Sequence, residues 1–213
     1  MTKDPRAFFA WDVVAQTMFP PPYARFIRLE KRYLASHNWP LPPGFLQANA
    51  IHQMYHLCRF QAATGLAIRD FDFILEFGGG YGEMCRVVPD LGFAGRYLIF
   101  DLPETNALQR YCLRGCCVEL QSATPQEDPA PGSRKVFIAT WSFDEAPLEA
   151  RAPWTALLAG FDAFLIAYQS NFAGIDNEAF FLEWQRHFPR IRWTTHVIPQ
   201  LKDSFYLFGA FRP

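Results

Sequence analysis

From Asp70 to the C-terminus, apolar runs of strand length alternate with helical stretches, which is the signature of βαβ units wound around a parallel sheet. The runs at residues 73–77, 96–100, 117–120, 136–140 and 163–168 are near-continuously apolar, as strands covered on both faces must be. Helices are predicted between them at residues 82–88, 104–113, 149–158 and 178–188. Residues 122–135 contain Pro125, Pro129, Pro131 and Gly132, so a loop or a single turn is expected there instead of a helix. The chain closes with two more strands, 191–198 and 204–211, joined by the short turn 199–203 and therefore antiparallel. The expected fold is α/β: a Rossmann-like, seven-stranded sheet ending in an antiparallel hairpin.

Residues 1–70 read differently. Their pattern is helical and punctuated by proline: Pro20, Pro21 and Pro22 open a helix through residues 25–33, and Pro40, Pro42 and Pro43 close the linker after it. A further helix over residues 45–64 ends at Gly65, a residue suited to the left-handed turn beyond a helix C-terminus. The predicted organisation is an N-terminal helical extension, 1–70, covering the substrate, and an α/β domain, 71–213.

A length of 213 residues fits one compact domain with such an extension, and 22 phenylalanines supply both a core and an aromatic-lined pocket. The net charge is −1 and the basic residues are scattered, so no stripe exists for a phosphate backbone and nucleic acid is not an expected partner. The start lacks the layout of a secretory signal, and no apolar run reaches the roughly 20 residues of a membrane span, so a cytoplasmic location is expected. Five cysteines without a C-x-x-C pair read as reduced thiols; Cys112, Cys116 and Cys117 lack a fourth ligand at zinc spacing, and no metal site is predicted.

The stretch FDFILEFGGGYGEM, residues 71–84, carries the most chemistry. It runs strand, acid, three glycines at alternate positions, helix: E-x-G-x-G-x-G from Glu76 through Gly78, Gly80 and Gly82. Such glycines let the backbone turn sharply and approach a ligand that a β-carbon would push away. The helix start beyond them offers free N–H groups to a carboxylate. A dinucleotide site needs G-x-G-x-x-G, and the position completing that spacing is Glu83, an acid where a pyrophosphate would sit. Glu76 instead suits a cationic cofactor, S-adenosylmethionine, whose ammonium and sulfonium it can face. Asp101 ends the second strand, where folds of this kind place the acid that bonds ribose hydroxyls.

At ILEFGGGYGEMCRVV and YLIFDLPETNALQRYCL the chain resembles a sugar O-methyltransferase family of the class I, Rossmann-like, S-adenosylmethionine-dependent methyltransferases. In that family E-x-G-G-G-Y-G is followed by a strand ending Asp-Leu-Pro and a helix with Gln-x-Tyr. The match carries to Glu76, Gly78, Gly79, Gly80, Tyr81, Gly82, Asp101, Leu102, Pro103, Gln109 and Tyr111, and more loosely to FIATWSFDE; it covers the middle third of the chain. The resemblance implies a class I fold, S-adenosylmethionine, and a hydroxyl acceptor on a sugar or glycan.

In a doubly wound sheet the reacting groups lie beyond the carboxyl ends of the strands. Ser122 follows the third strand as a candidate neighbour of adenine, and Thr140 ends the fourth, with Asp144 and Glu145 close behind. Methyl transfer to a hydroxyl needs alignment and a base for the proton. The candidate bases are Asp144, Glu145 and His52, the last sharing one face of the helix over 45–64 with His56. An unperturbed imidazole would give a rate that falls below a pH of about 6.5, a carboxylate a lower limb. Asp176 and Asn177 imitate a metal pair, but their place at a helix start reads as a cap. The function predicted is S-adenosylmethionine-dependent O-methylation of a hydroxyl of a sugar or glycan, with that small-molecule or glycan acceptor as the expected partner. The alternatives are another small acceptor at oxygen or nitrogen, and a module that binds the cofactor without catalysis.

Overall fold

The computed structural model describes residues 43–199 and 201–211. The helix expected over 25–33 lies outside them. The chain divides into two compact units, residues 1–59 and 60–213.

Helix α1, Pro43–Thr64, stops at Gly65, whose φ of +77° allows its N–H to bond the Gln61 carbonyl at 2.8 Å. Among its described residues the second unit has nine strands: β1 Phe73–Phe77, β2 Arg96–Phe100, β3 Glu119–Gln121, β4 Lys135–Thr140, β5 Ala163–Gln169, the two-residue strands β6 Asn171–Phe172 and β7 Ile175–Asp176, β8 Ile191–Val197 and β9 Ser204–Phe211. Seven of them form one sheet in the order β3-β2-β1-β4-β5-β9-β8. The first five in that order pair in parallel, and β9 enters antiparallel between β5 and β8. This is the expected seven-stranded sheet with its terminal hairpin. The order reverses between β1 and β4, which makes the carboxyl ends of those two strands the switch point where ligands of open α/β sheets bind.

Five helices serve the strands: α2 Glu83–Val87, α3 Pro103–Cys112, α4 Ser142–Glu145, α5 Leu148–Leu158 and α6 Asn177–Trp184. Pro103 at the first helical position and Glu104 in the first turn start α3 where the chain leaves β2. Asp176 caps α6 by accepting the Ala179 N–H at 2.9 Å, the capping role the sequence suggests for this helix start. Along β1 and β4 alternate residues serve opposite faces. Phe73, Leu75, Phe77, Phe137 and Ala139 pack with Phe143 of α4, Trp154 of α5 and Trp184 of α6 into an aromatic core.

Residues 122–134 hold no helix. In its place Arg96 grips Glu119 with two bonds, at 2.9 and 3.0 Å, and donates to the Pro129 carbonyl at 2.6 Å, while the buried Lys135 ammonium pairs with Asp128. These bonds pin the proline-rich loop against the sheet. Sequence reasoning did not foresee α4 or the β6–β7 hairpin, both too short for a periodic signal.

Candidate functional site

The end of β1 and the end of β4 are locked together. The Ser142 hydroxyl donates to the Phe77 carbonyl, and a β-carbon on Gly78 would overlap the Ser142 side chain, so Gly78 is required by the protein's own packing. Gly78, Gly80 and Gly82 all have positive φ, at +73°, +56° and +93°. Their surroundings differ. A β-carbon at Gly82 would strike Leu113, and one at Gly79 would lie 2.8 Å from Glu76 Oε2. At Gly80 it would meet no atom of the described residues within 4 Å. Only this central glycine of the motif opens onto space, and there a ligand can come against bare backbone.

Trp141, entering the β4 turn, also has a positive φ, +62°, an unusual conformation for a bulky residue. Its N–H bonds the Ala167 carbonyl of β5 at 2.8 Å, and that bond holds the turn beside Thr140.

Glu76 is almost wholly buried. Burial pushes its carboxyl up to about 7, with the Asp101 charge adding to the rise; the Tyr97 hydroxyl, donating to Oε2 at 2.8 Å, works in the opposite direction. Tyr97 has no sequence signal beyond being a phenol beside the apolar run Leu98, Ile99 and Phe100 of β2. Asp101 is fixed at both oxygens: Oδ1 accepts the Leu102 N–H at 2.8 Å and Oδ2 accepts the Gln109 amide at 2.9 Å. The same Gln109 nitrogen donates to the Gly80 carbonyl at 2.8 Å. Ser122, beyond β3, is exposed and bonded to the buried Asn106 of α3 at 2.5 Å. The Glu76, Gly80 and Asp101 group and Ser122 therefore lie along the carboxyl ends of β1, β2 and β3, tied by two amide side chains one helical turn apart. Tyr81 is half-buried in the loop, and the Leu102 side chain is 67% exposed.

The three candidate bases have distinct environments. Asp144 is fully buried in α4; its Oδ2 accepts the Gln169 N–H at 2.9 Å, Oδ1 has no hydrogen-bond partner among the described residues, and burial raises its carboxyl to about 7. Beneath it Arg151, also fully buried, donates to the Asp144 carbonyl, to the Ala146 carbonyl at 2.7 Å and to Asn177 Oδ1 at 2.8 Å, and Asn177 donates to the Gln169 carbonyl at 3.0 Å. This network, invisible in the sequence because its members are 26 residues apart at the widest bond, fixes the ends of α4 and β5. Glu145 is exposed, with Gln169 Nε2 at 3.4 Å from Oε1. The His52 and His56 rings meet at a 50° tilt on α1 with centroids 4.2 Å apart; burial lowers His52 to about 4 and His56 well below its usual value. Burial thus inverts the order expected of unperturbed groups, placing the Asp144 carboxyl above the His52 imidazole.

Among the described residues no group of three or more His, Cys, Asp or Glu side chains is placed to hold a metal ion, and no helix is long and apolar enough to cross a membrane.

No protein-family model matches the sequence, and no curated protein matches it. Solved structures do. The methyltransferase domain of bacterial CtHen1-CN superposes with a TM-score of 0.57 at 6% identity, over 75% of this chain and 97% of that one. The glycopeptide N-methyltransferase MtfA, in complex with sinefungin, gives 0.54 at 11% identity over 76% and 87%. An O-methyltransferase family protein from Burkholderia thailandensis gives 0.53 at 12% identity over 79% of this chain. The chain spans 58% of the length of that protein and 57% of the mitomycin 7-O-methyltransferase MmcR. At these identities the likeness is one of architecture, and the chain has the Rossmann-like α/β fold on which these O- and N-methyltransferases are built.

Proposed function

We propose that this protein is an S-adenosylmethionine-dependent methyltransferase that methylates a hydroxyl of a sugar or glycan. The observation that carries the reading is the open space over Gly80 at the switch point, flanked by the buried Glu76 carboxyl and by an Asp101 held in place from two sides. A cation is the ligand this arrangement fits, because a positive charge near Glu76 repays the cost of ionising a buried carboxyl. S-adenosylmethionine supplies a methyl group already activated by positive sulfur.

In this reading Glu76 faces the charged end of the cofactor, Gly78, Gly79, Gly80, Tyr81 and Gly82 shape its bed, and Asp101 accepts from the ribose hydroxyls beside Leu102. Ser122 borders the base and Thr140 the reacting end. The acceptor side is served by the β4 turn, where the Ser142 and Trp141 bonds fix the backbone, so alignment supplies much of the rate. The acceptor proton goes to Asp144, Glu145 or His52. Of these Glu145 has the access and Asp144 the proton affinity suited to neutral pH. The sugar acceptor rests on the resemblance at residues 74–88 and 97–113 alone.

Incubating the protein with S-adenosylmethionine and a panel of saccharides, phenols and amines, and measuring S-adenosylhomocysteine release, tests the reading. Turnover with a saccharide, with a new methyl ether in the product, supports it. Turnover with amines alone moves the acceptor to nitrogen, and cofactor binding without turnover on any acceptor leaves a non-catalytic binding module.

A further inference from the structure

Gln109 sits on the inner side of α3 and is completely buried. Its amide nitrogen makes two hydrogen bonds, one to the Gly80 carbonyl at 2.8 Å and one to Asp101 Oδ2 at 2.9 Å. Both partners are oxygens that only accept, so the amide can be oriented in one way and both of its hydrogens are used. Its own oxygen is buried, with no partner among the described residues. A buried, unbonded amide oxygen costs free energy that an apolar side chain of similar length would not, so filling space is not what selects glutamine here.

The two partners belong to the two walls of the site. Gly80 is the loop residue that opens onto space, in a backbone with no side chain to anchor it, and Asp101 ends the neighbouring strand. We propose that Gln109 is a positioning residue for cofactor binding: its amide sets the separation between the Gly80 backbone and the Asp101 carboxylate before the ligand arrives. The inference rests on the S-adenosylmethionine reading above. Rigidity built in beforehand lowers the ordering cost at binding, and only a side chain that donates twice can brace two acceptors at once. Glutamate would set a second carboxylate against Asp101, and methionine would keep the length without a donor.

The test is calorimetric titration of the full chain with S-adenosylhomocysteine for wild type, Q109E, Q109M, D101N and Q109E/D101N, with amide hydrogen exchange at residues 78–82 in the ligand-free proteins. Q109E should weaken binding tenfold or more and speed exchange in the loop. Adding D101N swaps donor and acceptor across the contact, so the double variant should bind more tightly than Q109E alone. Should Q109E fail to fold, Q109M carries the comparison, again with a tenfold loss expected. Binding by Q109E or Q109M within twofold of wild type overturns the proposal, as does a double variant whose loss is the product of the single losses. Failure of the functional reading is seen separately, as a wild-type chain that does not bind S-adenosylhomocysteine at all.

Discussion

The Tyr97 hydroxyl donates to Glu76 Oε2 at 2.8 Å across two neighbouring parallel strands, giving a buried carboxyl a neutral hydrogen-bond partner. Glu76 is consequently raised to about 7. Between the unfolded value, about 4.3, and 7, the folded protein holds a proton that the unfolded chain has released. Stability contributed by this group therefore falls as pH rises through that window. Glu76→Gln should stabilise the ligand-free protein at pH 8 by about 1–3 kcal/mol and by nothing at pH 4, while weakening binding of a cationic cofactor. Urea unfolding at the two pH values measures the first effect; an equal change at both would show that Glu76 is not protonated in the folded state at neutral pH.

Gly78 and Gly80 should separate packing from binding. Gly78→Ala drives a β-carbon into Ser142 and strains a left-handed position, at a cost of about 1–3 kcal/mol or more. Gly80→Val meets no atom of the described residues with its β-carbon, so beyond the strain of its φ the damage should fall on cofactor affinity. Thermal melts paired with S-adenosylhomocysteine titrations distinguish the two, and retained affinity in Gly80→Val would make the loop a structural turn.

Asp101→Ala should weaken cofactor binding by about 1.5–3 kcal/mol, the range for a hydrogen bond to a charged group, and leave the domain folded. An unchanged dissociation constant would remove Asp101 from the ribose contact.

The strand alternation, the glycine loop and the closing hairpin were legible in the sequence because each has a periodic or steric signature: β9 has the predicted bounds, and β1 and β2 do as well. The third strand begins two residues later than the apolar run 117–120 predicts, since Cys117 and Val118 are as apolar as a strand interior but only Glu119–Gln121 pair with β2. The division of labour among the glycines was not legible. Whether a missing β-carbon makes room for Ser142, for Leu113 or for a ligand depends on partners 31 to 64 positions away, which no local pattern reports. Burial had the same effect on the acids and histidines, because the values of Asp144 and His52 depend on what surrounds them in the folded chain.

That inversion makes the catalytic base readable from pH. With Asp144 as base, the rate at saturating cofactor and acceptor should fall as pH drops through about 7, and Asp144→Asn should lower it by about 10² or more. With His52 as base the limb should lie near 4 instead. Glu145→Gln and His52→Ala complete the set, with cofactor affinity expected to stay nearly constant in all three. Wild-type rates in every variant would exclude all three as the proton acceptor.

The central claim is that the space over Gly80 takes S-adenosylmethionine and not a dinucleotide, whose G-x-G-x-x-G spacing is completed here by Glu83, an acid, at the start of α2. Isothermal titration of the purified chain with S-adenosylhomocysteine and, separately, with NAD measures it directly. The account predicts saturable heat with S-adenosylhomocysteine and none with NAD at the same concentrations; saturable binding of NAD with no response to S-adenosylhomocysteine would contradict it.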